Sequence, residues 1–160
     1  MTEVRYLEEN TIYTVEQVKD RIAQEFPTEV KFDTKVKPRR LFMSADKEIL
    51  FKLCTLLKDQ LGFDHCSLVS GVDWTDRFQT VYHISSFSNN ITVEIVVDLP
   101  HDNPEVDSIT PLWGGANWHE RETYDMFGII FKGHPNLKRL LLPEDYTFFP
   151  LRKDFEVGGL

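Results

Sequence analysis

The stretch that decides the fold covers residues 66–97 and reads CSLVSGVDWTDRFQTVYHISSFSNNITVEIVV. Within it, residues 66–72, 77–87 and 91–97 alternate between apolar and polar side chains, which is typical of strands buried on one face. Short turns rich in Asp, Ser and Asn separate the three segments. The stretch therefore predicts three successive antiparallel strands, and helices on their apolar face would complete a two-layer α+β domain.

The residues before this stretch predict two helices and two short strands. The first helix opens with a capping box, Thr14-x-x-Gln17, and the second has Ser44 as its N-cap and Gly62 as its C-terminal stop. The expected elements are a helix at 14–26, a strand at 29–33, a strand at 40–43 and a helix at 44–62. With these strands, the sheet is expected to be mixed and mainly antiparallel.

The residues after the sheet predict a third long helix. Residues 100–104 read as a linker, and a short helix is expected at 108–113. Asn117 and Glu120 have the spacing of a capping box, and Gly128 stands where a helix would stop. We therefore predict a helix at 118–127.

From residue 129 the chain predicts an extended arm. Three prolines interrupt it, and its periodic signals are weak. Residues 129–154 carry five basic and three acidic side chains, a net charge of +2, whereas the whole chain carries −8. We divide the chain into an α+β domain at 1–128 and a partner-binding arm at 129–160, and our hypothesis is that a partner orders the arm.

Composition bounds the function classes. A net charge of −8 argues against a general nucleic-acid binder. No apolar run reaches the roughly 18 residues that a bilayer span requires, and no signal peptide is visible, so a cytoplasmic location is expected. The two cysteines, Cys54 and Cys66, are predicted to be reduced and buried, and two are too few to hold an iron–sulfur cluster.

Four ordered motifs in the second half of the chain carry a family resemblance. They are Glu120-Arg121-Glu122-x-x-Asp125-Met126-Phe127-Gly128-Ile129, Gly133-His134-Pro135-x-Leu137-x-Arg139, Pro143-Glu144-Asp145 and Pro150-Leu151-Arg152-Lys153-Asp154. This series resembles the 30-kDa subunit family of respiratory complex I, the bacterial NADH–quinone oxidoreductase. One departure is Phe148-Phe149-Pro150, where the family usually has a Gly-His-Pro-like step.

The resemblance implies a non-redox subunit of the hydrophilic arm of complex I. Such a subunit docks on the 49-kDa-type subunit near the quinone site and lies close to iron–sulfur subunits. FMN, the iron–sulfur clusters and quinone would belong to partner subunits, and the complex would couple electron transfer from NADH to quinone with proton translocation. The expected location is peripheral, on the cytoplasmic side of the membrane. Membrane-bound hydrogenases and F420H2-type dehydrogenases carry a similar subunit, so the electron donor stays open.

The same resemblance indicates which residues form the partner-binding or structural motif. They are Glu120, Arg121, Glu122, Asp125, Gly128, His134, Pro135, Arg139, Arg152, Lys153 and Asp154. The aromatic anchors for a partner are predicted to be Trp113, Trp118, Phe127, Phe131, Phe148, Phe149 and Phe155, with Trp118 and Phe127 expected rather in the domain's own core. Arg139, Arg152 and Lys153 are the predicted charge-assisted contacts. The basic residues at 35–40 form either a solvated turn or a second partner contact.

Catalysis by the chain itself has one candidate site. His119, Glu122 and Asp125 are spaced to share a helix face, with Glu120 adjacent, so a metal-dependent hydrolase is conceivable. The two-histidine metalloprotease spacing is absent, however. The alternative is a buried polar network in which these carboxylates bind basic residues of the arm. Gly114-Gly115 lacks the further residues of a phosphate-binding loop.

Overall fold

The computed structural model describes residues 11–35 and 37–156. The helices are α1 (Val15–Glu25), α2 (Leu50–Leu61) and α3 (Ala116–Phe127). A 3₁₀ turn at Lys47–Ile49 precedes α2. The strands are β1 (Val30–Phe32), β2 (Arg40–Ala45), β3 (His65–Asp73), β4 (Arg77–Ser86), β5 (Ile91–Pro100), β6 (Glu105–Asp107) and β7 (Ile130–Lys132).

Five strands form the main sheet in the order β1-β2-β5-β4-β3. The three predicted strands are its antiparallel meander, β3-β4-β5, and β2 lies beside β5 in parallel. The α+β class with a mixed, mainly antiparallel sheet is therefore confirmed. Strands β6 and β7 form a separate parallel pair.

The core lies between the helices and one face of the sheet. Alternate side chains of β4 and β5 are fully buried, among them Phe78, Tyr82 and Ile95. Helix α3 packs closely on β3 because β3 carries Gly71 at the crossing point. A Cβ there would lie 2.7 Å from the ring of Phe127, which is tighter than side chains tolerate.

The helix ends predicted from Thr14 and from two glycines are confirmed, whereas the N-caps predicted at Ser44 and Asn117 are wrong. Thr14 and Gln17 form the predicted capping box, and Gly62 and Gly128 end their helices with the left-handed φ angles of 70° and 75°. Ser44 lies instead inside β2, and Asn117 lies inside α3, whose N-cap is Gly115. Both polar residues match cap preferences, but strand pairing and the packing of α3 placed the ends elsewhere.

The connection after the sheet also differs from its prediction. Strand β5 continues to Pro100, and residues 101–104 form the predicted linker, but the short strand β6 that follows at Glu105–Asp107 was not predicted. The predicted helix at 108–113 is only a turn at residues 110–112, although the Ser108 hydroxyl accepts the Thr110 N–H at 3.1 Å, as a cap would, and also donates to Glu120. The first residues of the predicted arm form β7, with Phe131 in the core, so the irregular chain begins after Lys132.

Two further predictions concern cysteines and membranes. Cys54 and Cys66 are buried free thiols, as expected. Burial raises the pKa of both thiols, that of Cys66 to about 12, so neither is activated as a nucleophile. Among the described residues, no helix has the length and apolar character needed to cross a bilayer.

Candidate interaction site at the C-terminal arm

The arm is attached to the domain at the end of α3 through the carboxylate of Asp125. One oxygen accepts the backbone N–H groups of Leu140, Leu141 and Leu142 at 3.0, 2.6 and 3.0 Å, and the other accepts Arg139 at 2.8 Å. Burial acts to raise the pKa of Asp125, but these donors outweigh it and lower the pKa below its usual value. A buried charge is thus stabilised by the arm that it holds.

Arg139 closes the arm into a loop. Its guanidinium binds the backbone carbonyl of Asp125 at 3.1 Å in addition to the carboxylate. Its other terminal nitrogen donates to the carbonyls of Tyr146 and Phe148, at 2.7 and 3.0 Å. The Arg139 side chain is only 7% exposed and serves this chain's own loop, while its predicted contact with a partner stays a prediction.

A second attachment follows at residues 149–153. Arg152 donates to the carbonyl of Phe127 at 2.6 Å, and its guanidinium lies over the ring of Phe149. The Lys153 N–H donates to Asp73 at 2.8 Å. Gly128 is required here, because a Cβ on it would lie 2.6 Å from Arg152 and 2.7 Å from Phe149.

Arg121 links α3 to the start of the loop. It donates to the carbonyls of Lys138 and Arg139, at 3.1 and 2.9 Å, and its guanidinium lies over the ring of Trp118. Trp118 is 58% exposed, so its predicted place in the core is wrong, whereas Phe127 is buried as predicted. An exposed indole beside the docked arm belongs to the surface that a partner would meet.

Glu120 is buried between the start of the arm and the turn before α3, and it fixes that turn. Its carboxylate accepts from the Ser108 hydroxyl at 2.5 Å, the Ile109 N–H at 2.8 Å and the Thr110 hydroxyl at 3.0 Å. Burial raises the pKa of Glu120 despite these bonds, and the Nε2 atom of His134 lies 3.9 Å away. Burial also lowers the pKa of His134, which indicates a neutral imidazole.

The buried polar network thus exists in part. Asp125 and Arg121 bind the arm, while Glu122, Pro135, Lys153 and Asp154 are exposed. The proposed metal-site residues do not converge: Glu122 is exposed, His119 is partly exposed, and Asp125 is enclosed by the arm. Within residues 11–35 and 37–156, no three His, Cys, Asp or Glu side chains are arranged to hold a metal ion.

The exposed apolar side chains define what we call the arm surface. It consists of Trp118, Leu141, Tyr146 and Leu151, which are 58%, 63%, 40% and 55% exposed. Of the seven predicted aromatic anchors, Trp113 and Phe131 are core residues. Phe148, Phe149 and Phe155 are partly buried within the arm, where the rings of Phe148 and Phe155 stack at 5.3 Å.

Sequence reasoning missed Leu141, Tyr146, Leu151 and the role of Asp73. The three consecutive leucines before Pro143 were the available signal, since they cannot all be buried in an extended segment. Asp73 gave none, because it resembles an ordinary turn residue. Its carboxylate nevertheless accepts N–H groups from Thr75 and Lys153, and it lies 3.7 Å from His101.

The geometry defines an α+β domain whose C-terminal arm is held by polar contacts and presents an apolar surface. Residues 43–159 match the family model described as the respiratory-chain NADH dehydrogenase 30 Kd subunit, and the chain belongs to that family. The expected resemblance is therefore confirmed.

Named relatives include subunits of two kinds of enzyme. The chain is 44% identical over 122 residues to a subunit of the F420H2 dehydrogenase of Methanosarcina mazei, covering 74% of this chain and 77% of that protein. It is 47% identical over 117 residues to a subunit of the NADH-quinone oxidoreductase of a Roseiflexus species, covering 70% of this chain and 67% of that one.

Solved structures also share the fold. One is a trypsin-resistant fragment, residues 1–134, of Nqo5, with 27% identity and a TM-score of 0.65, covering 77% of this chain and 98% of the fragment. Another belongs to the membrane-bound sulfane sulfur reductase, an archaeal respiratory membrane complex, with 20% identity and a TM-score of 0.77 over 88% of this chain and 85% of that one. At that identity the second match shows the fold alone.

Proposed function

We propose that this protein is a non-redox subunit of the hydrophilic arm of a respiratory oxidoreductase of the complex I type. It docks on the 49-kDa-type subunit near the quinone site and on neighbouring iron–sulfur subunits. The complex transfers electrons to quinone and couples this to proton translocation, while this subunit remains peripheral, on the cytoplasmic side of the membrane. Family membership and the names of the relatives support this assignment.

The arm surface is the observation that carries the docking role. Four large apolar side chains are exposed close to residues whose polar groups hold the arm in place. Exposed Trp and Tyr side chains on a supported backbone are typical of the contacts that dominate protein association, and the exposed leucines extend the apolar area around them. The guanidinium groups of Arg139 and Arg152 support this surface from within.

The redox groups are assigned to other subunits. We propose that FMN, the iron–sulfur clusters and quinone are bound by partner subunits and that this chain supplies no catalytic residue. The buried thiols with raised pKa values and the inward use of Glu120 and Asp125 support a structural role. The visible absorbance spectrum of the isolated chain tests this, since a bound flavin or cluster would contradict it.

The similarity of this chain to relatives of two kinds bears on the electron donor of the complex. The similarity to an F420H2 dehydrogenase subunit is as extensive as the similarity to NADH–quinone oxidoreductase subunits. We therefore keep F420H2 as an alternative donor to NADH. Oxidation rates of NADH and of reduced F420 by the isolated complex distinguish the two.

The experiment that tests docking is the purification of the tagged subunit from native membranes, followed by mass spectrometry of the proteins that accompany it. The wild-type chain is expected to retain a 49-kDa-type subunit and iron–sulfur subunits. A variant with Leu141→Glu and Leu151→Glu places charge in the arm surface and is expected to lose the large subunit, because a charge buried without a partner opposes association.

The matched control is Gln24→Glu, which adds a carboxylate at an exposed position of α1. It is expected to assemble like the wild type. Equal retention of the large subunit by the arm variant and by this control would reject the arm surface as the docking site. A wild-type chain that retains no large subunit would reject the proposed function itself.

A further inference from the structure

A second exposed surface lies at the other end of the sheet from the arm. The arm meets the domain near Asp73, at the end of β3, whereas the turn between β4 and β5 lies at the opposite end. Two loops meet there: the Thr92 N–H donates to the Arg39 carbonyl at 3.0 Å, so the β1–β2 hairpin adjoins the start of β5. The Tyr13 N–H donates to Asn89 at 2.8 Å and brings the start of α1 to the same place.

Basic and apolar side chains project from this end. Lys35, Lys37, Arg39 and Arg40 are all exposed, and Phe87 and Ile12 are 72% and 68% exposed. We call these six residues the hairpin surface. The acids nearby include Asp33, 3.5 Å from Lys35, and Asp64, whose carboxylate accepts the Phe87 N–H at 3.3 Å. A concentration of positive charge on a chain of net charge −8 sets this surface apart from the rest of the molecule.

The backbone of Arg39 adds an independent observation. Pro38 and Arg39 are the central residues of a turn that the Arg40 N–H closes onto the Lys37 carbonyl at 3.2 Å, and Arg39 has a φ of 63°. A positive φ at the third position of such a turn favours Gly or Asn, so an arginine here costs folding free energy. This sequence places a cation where the local backbone conformation disfavours it, which points to a use outside the fold.

We infer that the hairpin surface docks onto an acidic surface of a second protein subunit in the same complex, with Phe87 and Ile12 as apolar anchors between ion pairs. This inference rests on the proposed function, because the neighbour is another subunit of that complex. It adds a contact at the opposite end of the domain from the arm surface, so the subunit would bridge two partners.

Charge favours a protein partner over a lipid bilayer. An anionic bilayer is a wide plane that would also face the remaining, strongly negative part of the chain. A cluster of carboxylates on a protein can match the hairpin surface alone, and the two arginines can pair with carboxylates through two parallel hydrogen bonds. The partner is therefore expected to present Asp and Glu around an apolar centre.

Zero-length cross-linking of the purified complex tests this directly. A carbodiimide joins an ammonium group to a carboxylate only when the two are in contact. Lys35 and Lys37 are expected to form cross-links to Asp or Glu of another subunit, more often than Lys52, an exposed lysine of α2 that serves as the control. Absence of such links from a complex in which the subunit is present would overturn the inference and leave the proposed function standing.

Variants separate the contact from folding. Replacing Arg39 and Arg40 by Glu is expected to weaken retention of the second subunit roughly tenfold at moderate salt, with the 49-kDa-type subunit retained. Arg39→Lys with Arg40→Lys keeps the charge and is expected to restore most of this retention. If the double Glu variant and the double Lys variant retain the second subunit equally well, the charge of residues 39 and 40 does not determine the contact.

Arg39→Gly gives a readout that a purely structural role would not produce. It should raise the melting temperature of the isolated chain, because glycine accepts the positive φ, while it weakens retention of the second subunit. A higher melting temperature with unchanged retention would overturn the inference. A membrane role would instead be indicated if the chain sedimented with phosphatidylserine vesicles, if charge reversal at Arg39 and Arg40 abolished this sedimentation, and if no cross-link to another subunit formed.

Discussion

The sheet domain and the arm are held by different kinds of interaction. In the domain, many fully buried apolar side chains, such as Leu57, Phe78 and Ile95, share the stabilisation. The arm depends on a few directional contacts that converge on Asp125, Phe127 and the other residues at the end of α3. A core shared by many residues unfolds cooperatively, whereas a segment held by a few polar contacts can open locally at a lower free energy.

The difference teaches that the arm can detach while the sheet stays folded. The hypothesis that a partner orders the arm stays a prediction, and the arm's own contacts already give it a position on the domain. A partner would then meet a surface that is already formed, and less ordering would oppose association. Four changes break or sharpen this contrast.

The largest effect is expected from Asp125→Ala. Removing one side of a buried ion pair costs about 3–5 kcal/mol, because the other charge stays buried and unpaired. The arm should detach, and the amides of residues 140–142 should lose hydrogen-exchange protection, while the amides of β4 and β5 keep theirs. Glu122→Ala, which removes an exposed acid from the same helix, is the control and should change little. Equal loss of protection in the sheet would contradict independent opening.

Leu57→Ala should act on the domain instead. Leu57 is fully buried, and truncation of a buried leucine leaves a cavity and costs about 3 kcal/mol. Because the arm docks on the folded domain, both regions should lose stability together in urea unfolding followed by fluorescence. An unchanged urea midpoint, or a loss of stability confined to the arm, would contradict the dependence of the arm on the folded domain. Lys52→Ala, at an exposed site of α2, should leave the midpoint unchanged.

Gly128→Ala should release the second attachment of the arm. The positive φ and the 2.6 Å approach to Arg152 both oppose a Cβ, and together they should cost about 2 kcal/mol. Gly133→Ala is the matched control: Gly133 has a φ of 79°, but a Cβ there meets no described atom within 4 Å. The control should therefore cost only about 1 kcal/mol. Trypsin cleavage after Lys153 measures the release, and equal rates in the two variants would contradict the role of Gly128.

The sequence predicted regular elements better than the arm's contacts. The alternation of β4 and β5 and the capping box at Thr14 are local signals, and the structure confirms both. The parallel pairing of β2 with β5 is non-local, and no pattern within β2 specifies its neighbour. The cap prediction for Asn117 failed because Glu120, its expected partner, binds residues 108–110.

The candidate site shows the same limit. The motif residues on α3 and in the arm could be found by resemblance, but the pairing of Asp125 with Arg139 depends on how the arm folds back. Exposure was the least predictable property. Trp118 has the large apolar side chain of a core residue, yet it is 58% exposed, and the guanidinium of Arg121 lies over its ring.

The smallest effects concern pH, and they have opposite signs at two acids of the same helix. The lowered pKa of Asp125 means that its stabilisation is complete above the unfolded-state value near pH 4 and is lost as the pH falls through the folded-state pKa. The raised pKa of Glu120 means that its contribution is complete below the unfolded-state value and is lost as the pH rises through the folded-state pKa.

Acidification below about pH 4 should therefore loosen the arm through Asp125, while protonation of Glu120 relieves the cost of a buried charge in the turn before α3. Asp125→Asn should remove the acid-induced loss of protection at residues 140–142. Glu120→Gln should instead remove the decline in the free energy of unfolding that follows rising pH. Hydrogen exchange and urea unfolding across the acid range check both slopes. If the two variants change them in the same direction, then these two carboxylates do not divide between the arm and the domain as their hydrogen bonds indicate.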